Sequence, residues 1–560
     1  MKSKAKWSLV LSFVLALSLV LSACGSSSSS KNSSSSTGLA KDQTLNMAIG
    51  QDIPTLDPNL ATDTTSTNAI DMTEAGLTRM HDNKYSWDLA AGAPKVSADK
   101  KTLTFKLRNA KWSDGKPVTA QDFVYGWQRQ NDPAAKPAYN FLFAASGIKN
   151  ASKIEDPTNK AWYGKYNKLG IKALNSKTLQ VTFEVPVPPF FYSILSQPQF
   201  LPLREDFVKK QGKNYAQGPS NLLYNGPFVL SSWNKGSGWT YKKNKNYWNA
   251  KATKLTTVNF QVQKDLTTRV NLYKTNKTDS VVVTGDQVAA LKKTNASELH
   301  HGLTSGTFFL YINQKSNKNL KNVYVREALN AAIDRDTFVR VLFNDGTTSS
   351  KYVVPKGFVK GPDGKDFRQD NPANGISAGS TKDAKTLWNK GKKQLGIKSM
   401  TLNFLSSDGA QYKQWTSYLK NQIEKNMPGV KVNINLQPWA NYLKLNQSFK
   451  FDLAFSGWFP DYQDPMTYLD MWTTGNPQNT TGWSNKKFDS LITKAKAETG
   501  NPTQRWNDML SAEKIMMKDY PIVPLFQEGQ TWAQKPYVKD FSMPLYGPQY
   551  DFAQTYITKH

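Results

Sequence analysis

Val325-Arg326-Glu327-Ala328-Leu329-Asn330-Ala331-Ala332-Ile333-Asp334-Arg335 is the stretch on which the reading of this 560-residue chain turns. Continued to Leu342, it places Leu329, Ala332, Ile333, Val341 and Leu342 near one face at helical spacing. One long amphipathic helix is predicted, with Arg326, Asp334 and Arg335 held in fixed ion pairs. Strand-like runs lie on either side: Thr44–Ile49, Thr102–Leu107, Leu179–Phe183, Val258–Val262, Val281–Val283, Phe308–Ile312, Met400–Phe404 and Val430–Leu436. They are β-branched or aromatic and end at Gly, Asn or Asp. Further helices are predicted between them. Thr119 and Asp122 have the spacing of a capping box ahead of Phe123, Val124 and Trp127. Leu491–Lys496 and Arg505–Met517 give two more. The pattern is mixed α/β without long repeats. At ~100–200 residues per domain the length suggests two to four domains. No glycine-rich linker divides the body after residue 38, so domains built from discontinuous segments are expected.

The N-terminus reads differently. Lys2, Lys4 and Lys6 precede an apolar and small-residue run, Trp7 to Ala23, whose length is borderline for a membrane span. A basic start, an apolar centre and small residues at its end mark an export signal over residues 1–23. It ends in Leu21-Ser22-Ala23-Cys24, and Cys24 is the only Cys in the chain. The exported body therefore has no disulfide framework, thiol catalysis or Cys-based metal site. A body of this size can bury a large core without disulfides. Gly25–Gly38, GSSSSSKNSSSSTG, is a polar tether that would hold the body roughly 20 Å from Cys24.

Lys and Arg number 72 against 43 Asp and Glu, a net charge of +29. The Lys are dispersed rather than clustered in a nucleic-acid motif. Proximity to an anionic membrane or cell-wall polymer fits this balance, as does a plain solvated surface. The four His, at 81, 300, 301 and 560, form no metal-binding spacing, and no nucleophile elbow or phosphate-cradling loop occurs. Asp461 and Asp464 invite comparison with the carboxylate pair of a glycan hydrolase, without a defined acid partner. No catalytic constellation emerges.

Seven stretches in order resemble the peptide/nickel (family 5) extracytoplasmic solute-binding proteins, most closely the oligopeptide-binding lipoproteins of ABC importers. They are Ile53–Pro58, Glu74–Arg79, Lys111–Phe123, Asn225–Phe228 with Trp233, Asn246–Trp248, Val325–Arg335 and Gly457–Pro465. Leu21–Cys24 similarly resembles a lipobox, which implies lipidation of Cys24.

The resemblance implies an α/β fold of two lobes, of the class II (cluster C) binding-protein type, with an extra domain on the N-terminal lobe. Lobe one would combine residues 42–75, 195–305 and 525–560, the extra domain 76–194 and lobe two 306–524, after a tether over 24–41. The chain would cross between lobes near Ser305–Phe308 and Pro521–Phe526. The implied function is peptide capture for an ABC permease, without enzymatic activity or cofactor. The protein would be a monomer, lipid-anchored on the outer face of a Gram-positive cell membrane, with no nucleic-acid partner. Asp461, within Pro460-Asp461-Tyr462, would take the peptide's α-ammonium. The peptide would lie between Gln51-Asp52-Ile53 and Gly457-Trp458-Phe459, with Trp458, Phe459 and Tyr462 walling side-chain pockets. Pro460 departs from the family's small residue and removes a backbone donor. Nickel- or haem-binding relatives and single-peptide pheromone receptors share the pattern and stay open as alternatives.

Overall fold

The computed structural model describes residues 38–137, 139–372, 380–498 and 500–560. The expected export signal, Cys24 and the expected tether up to residue 37 lie outside the described residues. The last tether residues are already part of the body: Leu39 bridges Thr558, and the Ala40 N–H donates to the Ile557 carbonyl at 2.9 Å. Pairing with the C-terminal segment therefore begins at Leu39, three residues before the expected start at 42.

Strand β1 (Thr44–Ile49) is followed by a hairpin, β2 (Thr78–His81) and β3 (Lys84–Trp87). A separate antiparallel sheet contains β4 (Lys95–Val96), β5 (Thr102–Lys106), β6 (Ile171–Asn175) and β7 (Thr178–Thr182). The chain then supplies β8 (Phe228–Asn234), β9 (Gly238–Lys243), β10 (Thr257–Val262), β11 (Ser280–Val283) and the long β12 (Leu299–Ile312). A short β13 (Thr348–Ser349) precedes β14 (Met400–Ser407), β15 (Val430–Gln437), β16 (Leu453–Trp458) and the long β17 (Ile522–Gln534). These join β1 in one 11-stranded sheet, ordered β15-β14-β16-β12-β17-β11-β1-β10-β9-β8, with β13 on β17.

The fold is α/β and two-lobed, and β12 and β17 belong to both halves of the sheet. Leu299–Leu303 pair with Gly529–Ala533 beside β11, whereas Thr307–Tyr311 pair with Ile522–Gln527 beside β16. Between them the register slips. Leu303 faces Gly529 and Thr307 faces Gln527, so three residues of β12 bulge opposite the single residue Glu528. Such a bulge bends a strand and re-aims its side chains. Beyond it both faces of β12 are buried. Phe308, Leu310 and Ile312 pack with Trp388, Trp415 and Ile423, while Phe309 and Tyr311 meet Trp472 on the other side. That explains why Phe308–Ile312 reads as a continuous apolar run rather than an alternation.

The expected capping box forms: the Thr119 N–H donates to Asp122 Oδ2 at 2.9 Å and the Asp122 N–H to Thr119 Oγ1 at 3.4 Å. The long helix does not. Val323–Ala331 and Arg335–Leu342 are separate helices, because Asp334 caps the second by accepting from the Thr337 N–H at 3.1 Å. The turn redirects the face, so Leu329, Ala332 and Ile333 are buried but Val341 is 61% exposed. The expected ion pairs are also absent among the described residues. Arg326 donates to the carbonyls of Leu320, Lys321 and Asp519, and Arg335 to those of Asn330, Ile333 and Pro524. A buried guanidinium has five N–H donors to satisfy, and carbonyls at a helix end and a strand edge satisfy them without a carboxylate.

Gly529 marks a close approach beside the bulge. A Cβ there would lie 2.0 Å from the Gly346 carbonyl carbon and 2.1 Å from the Thr347 nitrogen. Gly529→Ala should therefore push β17 off the 345–347 turn, at the ~1–3 kcal/mol typical of overpacking. The expected result is a lower urea midpoint with an unchanged denaturant slope, measured by equilibrium unfolding.

Candidate functional site

In an open α/β sheet, ligands sit beyond the carboxyl ends of parallel strands, where strand order switches. Here β11, β1 and β10 run parallel in one half and β15, β14 and β16 in the other. The carboxyl ends of β11 and β16 border one cavity of about 410 Å³. Val282, Val283 and Thr284 line it from β11 and its exit, and Phe459 and Pro460 from the exit of β16. The bulge contributes Thr304 and Ser305, and β17 contributes Glu528, Gly529 and Gln530. Asp345, Tyr546 and Gln549 complete this part of the wall.

Pro460 leads into Asp461, whose backbone is fixed at both ends. Its N–H donates to Thr467 Oγ1 at 3.1 Å, and its carbonyl accepts from the Tyr546 hydroxyl at 3.0 Å. Three residues on, Asp464 accepts two hydrogen bonds from buried Arg505, at 2.7 and 2.8 Å. Tyr468 then donates its hydroxyl to the Ser305 carbonyl in the bulge. The Asp461 carboxylate has no cation and no hydrogen-bond donor among the described residues. Burial, and secondarily the charge of Asp470, push its carboxyl up to about 7. Asp464, by contrast, is neutralised by Arg505. So paired, Asp464 is not a free second carboxylate of the kind a glycosidase couple uses.

Residues 84–480 match the bacterial extracellular solute-binding proteins, family 5 (middle). The chain is 32% identical to the dipeptide-binding protein of Lactococcus lactis subsp. cremoris over 98% of both sequences. Among solved structures it resembles the substrate-binding domain of an oligopeptide ABC transporter from Bacillus anthracis, with 38% identity and a TM-score of 0.78 over 93% of this chain and 100% of that one. It also resembles Listeria monocytogenes OppA bound to peptide, with 35% identity and a TM-score of 0.76 over 93% and 100%. The chain belongs to the family 5 solute-binding proteins.

In this family 5 protein the residues singled out from sequence are not all brought together. Phe459 is 52% exposed and lines the cavity, with Asp461 one residue beyond the lining Pro460. Gly457 and Trp458 end β16 and do not line it. The ladder of β16 with β14 is confined to Leu453 and Ala454, so beyond Ala454 that edge carries no partner strand. The Trp458 indole N–H is buried without an acceptor among the described residues. Tyr462 turns away from the cavity, stacking on Phe190 with ring centres 4.3 Å apart. Gln51 stands one hydrogen bond behind the wall, donating to Thr65 Oγ1 at 2.6 Å next to lining Thr64. Asp52 accepts from the Trp233 indole at 2.8 Å and from the Gly236 N–H at 2.6 Å, and Ile53 is buried.

Sequence reasoning missed Thr304, Asp345, Glu528 and Tyr546. Glu528 did leave a trace, as the one charge in the strand run Ile522–Gln534. Its Oε2 accepts from Thr304 Oγ1 at 3.0 Å. Burial, and then repulsion from Asp345, push the carboxyl up to about 7, partly offset by that hydroxyl.

A carboxyl raised from ~3.9 in the unfolded chain to about 7 in the folded one binds its proton more tightly when folded. Its stabilising contribution is thus fully present below pH ~4 and lost as pH rises through 7. Asp461→Asn, which stays neutral, should unfold at a higher temperature than the wild type at pH 8. The gap should close by pH 4, as followed by calorimetric melting of the ligand-free protein.

Proposed function

We propose that this solute-binding protein captures peptides between its lobes and delivers them to an ABC-type permease, with Asp461 receiving the peptide's α-ammonium. The observation that carries this reading is the Asp461 carboxylate beside the cavity, part-buried and without a cation or donor among the described residues. A carboxylate held out of water without a cation is complementary to a ligand that brings one. The unpartnered edge of β16 supports the same reading, because an extended backbone can add to an exposed strand edge without its side chains being read. Such hydrogen bonds contribute ~0.5–1.5 kcal/mol each, and those to charged groups ~1.5–3. Several of the first and one of the second reach the roughly −8 kcal/mol of micromolar binding. The names of the three relatives, a dipeptide-binding protein, an oligopeptide transporter domain and a peptide-bound OppA, point the same way.

Within this proposal Phe459 walls a side-chain pocket and the Trp458 N–H offers a donor, while Gln51, Asp52 and Ile53 hold the opposite rim. The lobe boundaries given above, with an extra domain over 76–194, belong to the same proposal. So do action as a monomer without enzymatic turnover, and anchoring of the body to the outer face of the membrane through lipidated Cys24.

Two experiments test it. Removing one partner of a buried charge pair costs ~2–5 kcal/mol. Asp461→Ala should therefore weaken binding of a free-amine peptide roughly 30-fold or more. N-acetylation of the peptide should cost the wild type a similar factor and the variant far less, because both changes remove one interaction. Calorimetric titration of both proteins with both peptides measures this, and simple additivity of the losses would rule out the Asp461–ammonium contact. For the anchor, Cys24→Ser should release the protein from the membrane fraction or leave an unprocessed precursor, visible by fractionation and mass spectrometry. Unchanged processing with unchanged retention would refute lipidation.

A further inference from the structure

We propose that Glu528, seconded by Asp345, forms an anionic side-chain pocket that selects peptides carrying Lys or Arg close to the amino terminus. This rests on the peptide-binding reading and deepens it.

The chain carries 72 Lys and Arg against 43 Asp and Glu. Yet the described residues lining the cavity include Asp345 and Glu528 and no Lys, Arg or His. In a protein with this excess of cations, a cavity whose charged lining residues, among those described, are both acids is a local inversion of sign. Neither acid has a cation partner among the described residues. Glu528 Oε2 accepts from Thr304 Oγ1, and Asp345 Oδ1 from the Thr347 N–H at 3.1 Å. No described residue donates to the remaining oxygen of either. The fold also explains why Glu528 reaches the cavity: it stands opposite the three-residue bulge of β12, where the register slip opens the ladder. Its neighbour Gly529 is locked against the 345–347 turn, through an N–H donated to Thr347 Oγ1 at 3.0 Å. The two acids thus keep a fixed relation.

Asp461 gives the pocket its place along the ligand. It follows the lining residue Pro460, and its carbonyl is held by the lining Tyr546. A peptide whose ammonium sits on Asp461 has its first side chains in this cavity. A Lys or Arg there meets carboxylates in a water-poor setting, where charge-assisted hydrogen bonds are strongest. An acidic side chain meets like charge and is rejected.

The test is calorimetric titration of the purified protein with the tetrapeptide series Ala-Ala-Ala-Ala bearing Lys, norleucine or Glu at position one or two. Norleucine keeps the aliphatic stem of Lys and drops its charge. The wild type should bind the Lys peptide about tenfold or more tighter than the norleucine peptide at one of these positions, and the Glu peptide weakest. Glu528→Gln keeps the acceptor for Thr304 and should reduce the Lys-to-norleucine ratio to within about threefold, with Asp345→Asn reducing it less. Folding of both variants is verified by thermal melting. If the wild type shows no advantage for Lys, or Glu528→Gln retains it, the pocket assignment is overturned while peptide binding stands. If no peptide in the series binds at all, the peptide reading falls first and takes this inference with it.

Discussion

The ladder between β12 and β17 is the constraint on which the rest of the molecule depends. Two strands have to serve both halves of one sheet, so their hydrogen bonds carry the connection between lobes. A continuous ladder would leave no room where the lobes meet. Three residues of β12 set against Glu528 alone break the register without ending the pairing. The break frees backbone at Thr304–Gly306 and turns a β17 side chain toward the cavity. Tyr468 takes up the Ser305 carbonyl, and Gln527 donates to the Thr304 carbonyl at 2.9 Å. The bulge is therefore held by the side chains of Tyr468 and of Gln527 in β17, as its freed polar groups require in a buried setting.

That bulge and the Asp461 segment are one mechanical unit. Arg505 fixes Asp464, Thr467 fixes the Asp461 N–H, and Tyr468, one residue further, ties the segment back to β12. The hydrogen bonds made to Asp461 hold its backbone N–H and carbonyl, and among the described residues its carboxylate has no partner. A charge left in that condition costs stability, which is reflected in its raised affinity for a proton. Sites organised for a charged ligand carry this cost in the empty state and recover it on binding.

Sequence made the strands legible because β-branched and aromatic runs between breakers report a half-buried or buried pleat directly. It also singled out Asp461 as a candidate, through the surrounding Gly457–Pro465 pattern. It failed where a local signal had two readings. Asp334 looked like one more residue of a long periodic helix, yet its side chain is also a strong N-cap, and the cap won. Arg326 and Arg335 looked like ion-pair members because carbonyl acceptors leave no mark in a sequence. Tyr462 looked like a pocket wall because nothing local reveals Phe190, 272 positions earlier, as its stacking partner. The acidic lining was illegible for the same reason: residues 304, 345, 460 and 528 meet only when two lobes are joined by one sheet.

The contrast between a basic chain and an acidic cavity also separates two ranges of electrostatics. At physiological salt the Debye length is ~8 Å, so the dispersed lysines act on what approaches the outer surface. Inside the cavity screening is weak and the nearest charges dominate. Glu528 and Asp345, which line it, can therefore attract a cation within a molecule whose net charge is +29. The same overall charge disfavours a loosely held cation, so the ligand gains by seating its charge deep against the carboxylates rather than resting at the rim. Surface charge and pocket charge of opposite sign thus work toward one outcome, in which weak association outside is discouraged and full insertion is favoured.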